Sequence, residues 1–112
     1  MESQRQQKVS RMIQKELGDL FLRSGKNLVP GSLISVTVVR ISPDLSVARI
    51  YLSIFPVKDK AAALKAVQEN GWELRKNLGA RIRNQVRVIP ELVFFLDDSY
   101  DYADNIDRLL KK

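Results

Sequence analysis

Two runs of β-branched and aliphatic residues joined by a short polar turn restrict the possible folds of this chain more than any other stretch. Leu33-Ile34-Ser35-Val36-Thr37-Val38-Val39-Arg40-Ile41 has the composition of a strand. Ser42-Pro43-Asp44 follows, where proline presets φ and aspartate bonds its local backbone. Beyond the turn, Ala48, Ile50, Leu52 and Ile54 alternate with Val47, Arg49, Tyr51 and Ser53, the two-residue period of a half-buried strand, and Pro56 ends it. The pair predicts a β-hairpin with one apolar face to cover. In the first strand the alternation slips between Thr37 and Arg40, which points to a bulge.

The segments around the hairpin supply the cover. From Arg5 to Leu22, Val9, Ile13, Leu17 and Leu20 recur at helical spacing with Met12 and Phe21 beside them, while Lys8, Arg11 and Lys15 follow the opposite side. Ser3 is placed to cap this helix, and Gly25 with Pro30-Gly31 to stop it. Lys58 to Glu69 has high helix propensity, with Asp59 in its first turn. Asn70-Gly71 interrupts the pattern, which resumes at Trp72 and runs to about Asn84 through Leu74, Leu78 and Ile82. Val86 to Leu96 reads as a strand in which Pro90 marks an edge or a bend. Asp97-Asp98-Ser99 then caps a last short helix with Ala103, Ile106 and Leu110 inward. The order is α-β-β-α-kink-α-β plus a short C-terminal helix, an α+β two-layer sandwich in one domain over residues 1–112. All helices pack on one sheet face, and Ser35, Thr37, Arg49 and Ser53 lie on the other, partly solvated.

Several chemistries are removed at the outset. The chain has no cysteine and no histidine, so thiol catalysis, thiolate metal sites, the commonest general base and the commonest zinc ligand are all absent. Its apolar runs, such as Leu92 to Leu96, are about five residues long, against the roughly 18 that cross a bilayer. Met1-Glu2-Ser3-Gln4-Arg5 has no apolar core of a signal peptide, and a cytoplasmic binding protein is expected. The net charge of +6 is uneven: residues 1–56 carry eight Lys/Arg against four Asp/Glu, residues 57–90 eight against three, and residues 91–112 three against six. A basic body with an acidic end favours a polyanionic partner, or is simply a solvated surface rich in lysine.

The sequence resembles the ribosome-binding factor A family of bacterial ribosome-assembly proteins. The resemblance is carried by Arg5-x-x-Lys8-Val9 and Gln14-Lys15-Glu16-Leu17 on the first helix, by Ser42-Pro43-Asp44-Leu45-Ser46-x-Ala48-x-Ile50-Tyr51-Leu52-Ser53 on the hairpin, and by Gly71, Arg75 and Pro90-Glu91-Leu92-x-Phe94-Phe95-x-Asp97-x-Ser99. It implies a type II KH-like fold and a non-enzymatic, cytoplasmic, monomeric protein without cofactor. Its implied partners are the free 30S small ribosomal subunit and immature 16S rRNA, in late maturation that includes the 5′ end and matters most in the cold. Neither a membrane nor a small-molecule substrate is implied. A KH domain clamps nucleotide backbone with a G-x-x-G loop, and none occurs here. In its place the resemblance puts a kink at Glu69-Asn70-Gly71, with glutamate where the family has alanine.

Two basic groups are the candidate RNA contacts. Arg75, Lys76, Arg83 and Arg87 fall on one arc beside the Leu74-Leu78-Ile82 stripe, with Asn70 and Gly71 at the entry; arginine forks and helix N-terminal amides both suit phosphate. Arg5, Lys8, Arg11 and Lys15 form the second stripe, which is otherwise the polar side of an amphipathic helix. Trp72 is expected to plug the gap where two helices diverge, with base stacking as the alternative. Tyr51, on the same side as Arg49, is expected to pack at a sheet edge, with stacking as the alternative, and Leu92, Phe94 and Phe95 in the core. Asp97, Asp98, Asp101, Asp104 and Asp107 form an acidic series of the kind a magnesium-dependent rRNA nuclease uses, but carboxylates at a helix start need no metal. A general nucleic-acid chaperone is the remaining alternative.

Overall fold

The computed structural model describes residues 3–97, with every side chain among them except that of Lys26. The expected C-terminal helix, with Ala103, Ile106 and Leu110, and the aspartates from Asp98 onward lie outside the described residues. The elements are α1 (Gln4–Leu28), β1 (Leu33–Ile41), β2 (Val47–Phe55), α2 (Lys60–Glu69), α3 (Gly71–Ile82) and β3 (Glu91–Leu96). They form one three-stranded sheet in the order β1-β2-β3, with β1 antiparallel and β3 parallel to β2. The parallel return follows from the connection: α2 and α3 carry the chain over one sheet face and back to the start of the next strand.

Local chemistry explains the ends of each element. Ser3 Oγ accepts from Gln6 N–H and the Gln6 side chain accepts from Ser3 N–H, a capping box at the start of α1. Gln6 Nε2 also donates to Ile41 O at 3.0 Å, tying the helix start to the end of β1. The expected stop at Gly25 does not occur, and α1 continues to Leu28. Gly25 instead permits a close approach: a Cβ there would sit 3.6 Å from Ile34 Cδ1. The turn falls later, at Gly31, whose φ of +81° suits glycine.

The bulge lies where the alternation slips, with the register shifting between Val36 and Val38. Ile34 and Val36 point to the helices before it, Val39 and Ile41 after it. Gln14 Nε2 donates to Val36 O and Thr37 O at 3.3 and 3.2 Å, satisfying carbonyls at the irregularity. In the hairpin turn, Asp44 accepts from Ser42 Oγ, Ser46 Oγ and Ser46 N–H. These bonds, that from Ser42 foremost, hold its carboxyl below the usual range.

The core is the seam between the helices and the sheet. Ile13 and Leu17 of α1, Ala48, Ile50 and Leu52 of β2, Val67 of α2 and Leu78 of α3 are all fully buried, and each large aliphatic side chain so placed contributes about 1.5–3 kcal/mol. Phe94 lies inward at 3% exposure with its edge to Phe21, centroids 6.4 Å apart. Leu92 is half-buried against the same core.

Four expectations are corrected. Tyr51 lies on the central strand β2 instead of at a sheet edge. Phe95 is 38% exposed because it alternates with Phe94 onto the open face, where it stacks on Tyr51. Trp72 is 74% exposed and plugs nothing: Val67 of α2 and Leu74 and Leu78 of α3 are buried in the common core without it. The third strand begins at Glu91 instead of Val86. Pro90 has no N–H for the sheet, and Arg75 takes the carbonyls of Ile89 and Pro90 at 2.7 and 3.0 Å. The segment before β3 therefore lies on α3, where Gly79 admits Ile89 so closely that a Cβ would meet Ile89 Cγ1 at 3.1 Å.

Candidate nucleic-acid interface

On α1 the apolar positions Val9, Ile13, Leu17 and Leu20 face the sheet. At 100° per residue, Lys8, Arg11 and Lys15 are centred opposite that row, and with Arg5 all four are exposed. Among the described residues no ion pair holds any of them. The acids of the same helix are occupied. Arg81 of α3 donates to Asp19 at 2.7 Å and to Glu16 at 3.2 Å, and Arg23 donates to Asp19 at 3.0 Å. The Arg81 hydrogen bond, followed by that of Arg23, holds the Asp19 carboxyl below its ordinary value, and Asp19 in turn raises Arg81. This clasp joins α1 to α3 and masks two carboxylates that would otherwise interrupt a cationic surface.

The kink is built by Asn70. Its side chain donates to Ala66 O at 2.8 Å, closing α2, and so does not cap α3, whose first bond runs from Leu74 N–H to the Asn70 carbonyl. The first-turn amides of α3 are left without a side-chain cap, an arrangement that favours an anion. Glu73 in that turn and exposed Glu69 before it work against this. Gly71 is not needed for space, since a Cβ would make an ordinary 3.7 Å contact with Phe94.

Trp72, Arg75, Lys76 and Gly79 follow one another along α3 and, with Ile89, line an open cleft of about 310 Å³. Lys76 Nζ lies over the Trp72 ring, 5.4 Å from its centroid. The structure thus brings Asn70, Gly71, Arg75 and Lys76 together at the start of α3. Arg83 and Arg87 do not share that helical arc. The helix ends at Ile82, so Arg83 is its exposed C-cap and Arg87 stands in the segment leading to β3. Arg75 has a second task, holding the Ile89 and Pro90 carbonyls.

Sequence reasoning passed over the Arg81 clasp, and no local signal announces it, because its partners lie 62 and 65 residues away. The Trp72–Lys76 pair was legible in its four-residue spacing. So was the cross-strand pair Arg40 and Arg49, directly opposed in the hairpin register, once the turn is placed. Among the described residues no group of three or more acids is placed to hold a metal ion, and no helix is long and apolar enough to cross a membrane.

Comparison with known proteins agrees with this architecture. The family model for ribosome-binding factor A matches residues 5–110. A ribosome-binding factor A from Cytophaga hutchinsonii is 56% identical over 112 residues, all of this chain and 84% of its own length. One from Flavobacterium johnsoniae is 43% identical over 98% of this chain and 85% of its own. The crystal structure of ribosome-binding factor A from Thermus thermophilus superposes with a TM-score of 0.69 at 23% identity, covering 81% of this chain and 94% of that one. A homology model of the Thermus thermophilus protein, fitted into a cryo-EM map of its complex with the 30S subunit, gives a TM-score of 0.64 at 25% identity over 80% and 91%. The KH-like sandwich is therefore the fold, and by sequence and structure together this chain belongs to the ribosome-binding factor A family.

Proposed function

We propose that this chain is a ribosome-assembly factor that binds the free 30S small subunit and its immature 16S rRNA without catalysing any step. The observation that carries the reading is the helix layer. Exposed Arg5, Lys8, Arg11 and Lys15 lie on α1, Arg75 and Lys76 flank the kink on α3, and Arg81 masks Glu16 and Asp19 between them. Such a surface recognises phosphate by charge and shape. The 30S complex of the Thermus thermophilus relative supports the same partner here. Within this reading the factor acts in the cytoplasm as a monomer, late in 16S rRNA maturation including its 5′ end, and most of all in the cold.

The test is cosedimentation with small subunits across a salt series. Neutralising about four to six phosphates makes affinity fall with roughly the fourth or fifth power of salt. Lys76→Glu with Arg83→Glu is expected to weaken binding at least tenfold at moderate salt, since charge reversal removes about two contacts and adds repulsion. The melting temperature should hold, because Lys76 only covers the exposed Trp72 ring and Arg83 makes no ion pair among the described residues. Salt-independent binding, equal affinity for duplex DNA, or magnesium-dependent cleavage of precursor rRNA would each overturn the proposal.

A further inference from the structure

We propose that the sheet face turned away from the helices is a second RNA surface, which takes an unpaired stretch of RNA by stacking a base on the Phe95 ring, backed by Tyr51, and holding phosphate at Arg49. The inference rests on the reading of this chain as an RNA-binding protein, but on a different face and a different chemistry from the helix layer.

The register places the residues. Val38, Tyr51 and Phe95 form one row across the three strands, and Arg40, Arg49 and Val93 form the next. The Tyr51 and Phe95 rings are stacked, 5.3 Å between centroids and 24° between planes, so each covers one face of the other, and the platform left for a base is the outer side of Phe95 on the edge strand. Phe95 is exposed and Tyr51 half-buried. Two residues along the strand, about 7 Å away, lie the arginines, which also line an open cleft of about 580 Å³ with Gln6 and Ser42 at the end of the sheet. That spacing suits a base on the platform and the phosphate of a neighbouring nucleotide at the guanidinium. Of the nearby acids, Asp97 accepts a hydrogen bond from Thr37 at the bulge, and Glu91, opposite Val47, shares the open face and lies diagonal to Arg49.

The chemistry selects the ligand. Ring platforms beside cations take bases whose faces are open, which a duplex does not offer. A nucleotide offers a ring face and a phosphate together, matching the Phe95 ring and the Arg49 guanidinium, whereas a second copy of this chain brings no phosphate.

The experiment uses the full chain and two labelled probes, a short oligouridine and an RNA duplex of equal phosphate number, read by fluorescence anisotropy. Phe95→Leu keeps apolar bulk and removes the aromatic face; Arg49→Gln removes an exposed charge. Each is expected to raise the Kd for oligouridine by roughly tenfold and leave duplex binding within twofold, and ultraviolet crosslinks to oligouridine should map to the Tyr51 and Phe95 peptides. Equal oligouridine affinity in wild type and both variants, or no preference of the wild type for the single strand, would overturn the proposal. If small-subunit binding still depended on Lys76 in that case, the helix-layer reading would stand alone. Should Phe95→Leu unfold, Arg49→Gln decides by itself. Wild-type dimers that dissociate on either substitution, with RNA binding unchanged, would assign the face to a second copy and sink the idea.

Discussion

The helix layer and the open sheet face carry positive charge in different ways. On the helices, cations project from regular stripes, and the two acids between them are held by a third cation, Arg81. On the sheet, two arginines face each other across a hairpin beside stacked rings. The first arrangement reads a phosphate backbone whatever its bases are doing; the second distinguishes paired from unpaired nucleotides. A single net charge of +6 thus conceals two surfaces with separate tasks.

Substitutions that strike one face and spare the other sharpen this contrast. The largest effect is expected for Gly79→Val. Its side chain would drive into Ile89, lift the segment before β3 and pull two carbonyls from Arg75. A loss of about 1–3 kcal/mol is expected from such overpacking, measured by urea unfolding. Small-subunit binding should fall with it, while oligouridine binding on the far face stays. Equal loss at both faces would mean that they are not separable.

Arg81→Met comes next, with a moderate loss of stability and weaker subunit binding as Glu16 and Asp19 are unmasked. The pH dependence identifies the cause. Because Asp19 titrates below its ordinary value in the fold, the clasp stabilises fully above the unfolded aspartate value, roughly pH 4, and its contribution is lost as pH falls through the lower folded value. Thermal melts of the wild type should show this acid-side decline, and Arg81→Met should flatten it. The smallest effect belongs to Ser10→Ala. Ser10 Oγ is buried without a hydrogen-bond partner among the described residues, so its removal should leave stability unchanged or raise it by up to about 1 kcal/mol, with both RNA surfaces unaffected.

The hairpin, its bulge and the kink were legible because each is written within a few residues: Ser42-Pro43-Asp44, the slip after Thr37, and Asn70-Gly71. Other features depended on distant partners. Gly25 reads as a stop until Ile34 is seen lying against it. Val86 to Pro90 reads as strand until Gly79 and Arg75 claim it for α3. The same divide runs through the site. Its cations were visible as stripes, but Arg75 and Arg81 also serve the fold through partners 14 to 65 residues away. Trp72 follows the kink glycine, where a large ring is expected to fill the gap between diverging helices, yet it lies exposed along the cleft that Ile89 also lines.

The single extra residue in β1 decides which side each later residue of that strand takes. Were the same nine residues to pair without the bulge, strict two-residue alternation would turn Arg40 toward Ile50 and the underside of α1, and send Val39 and Ile41 into water. Arg40 thus lies beside Arg49 on the outer side of the sheet only because the backbone miscounts by one. A family member lacking Thr37 would keep both its core and its outward charge with the same residues on either side, because Val36 and Val38 would then alternate without a break.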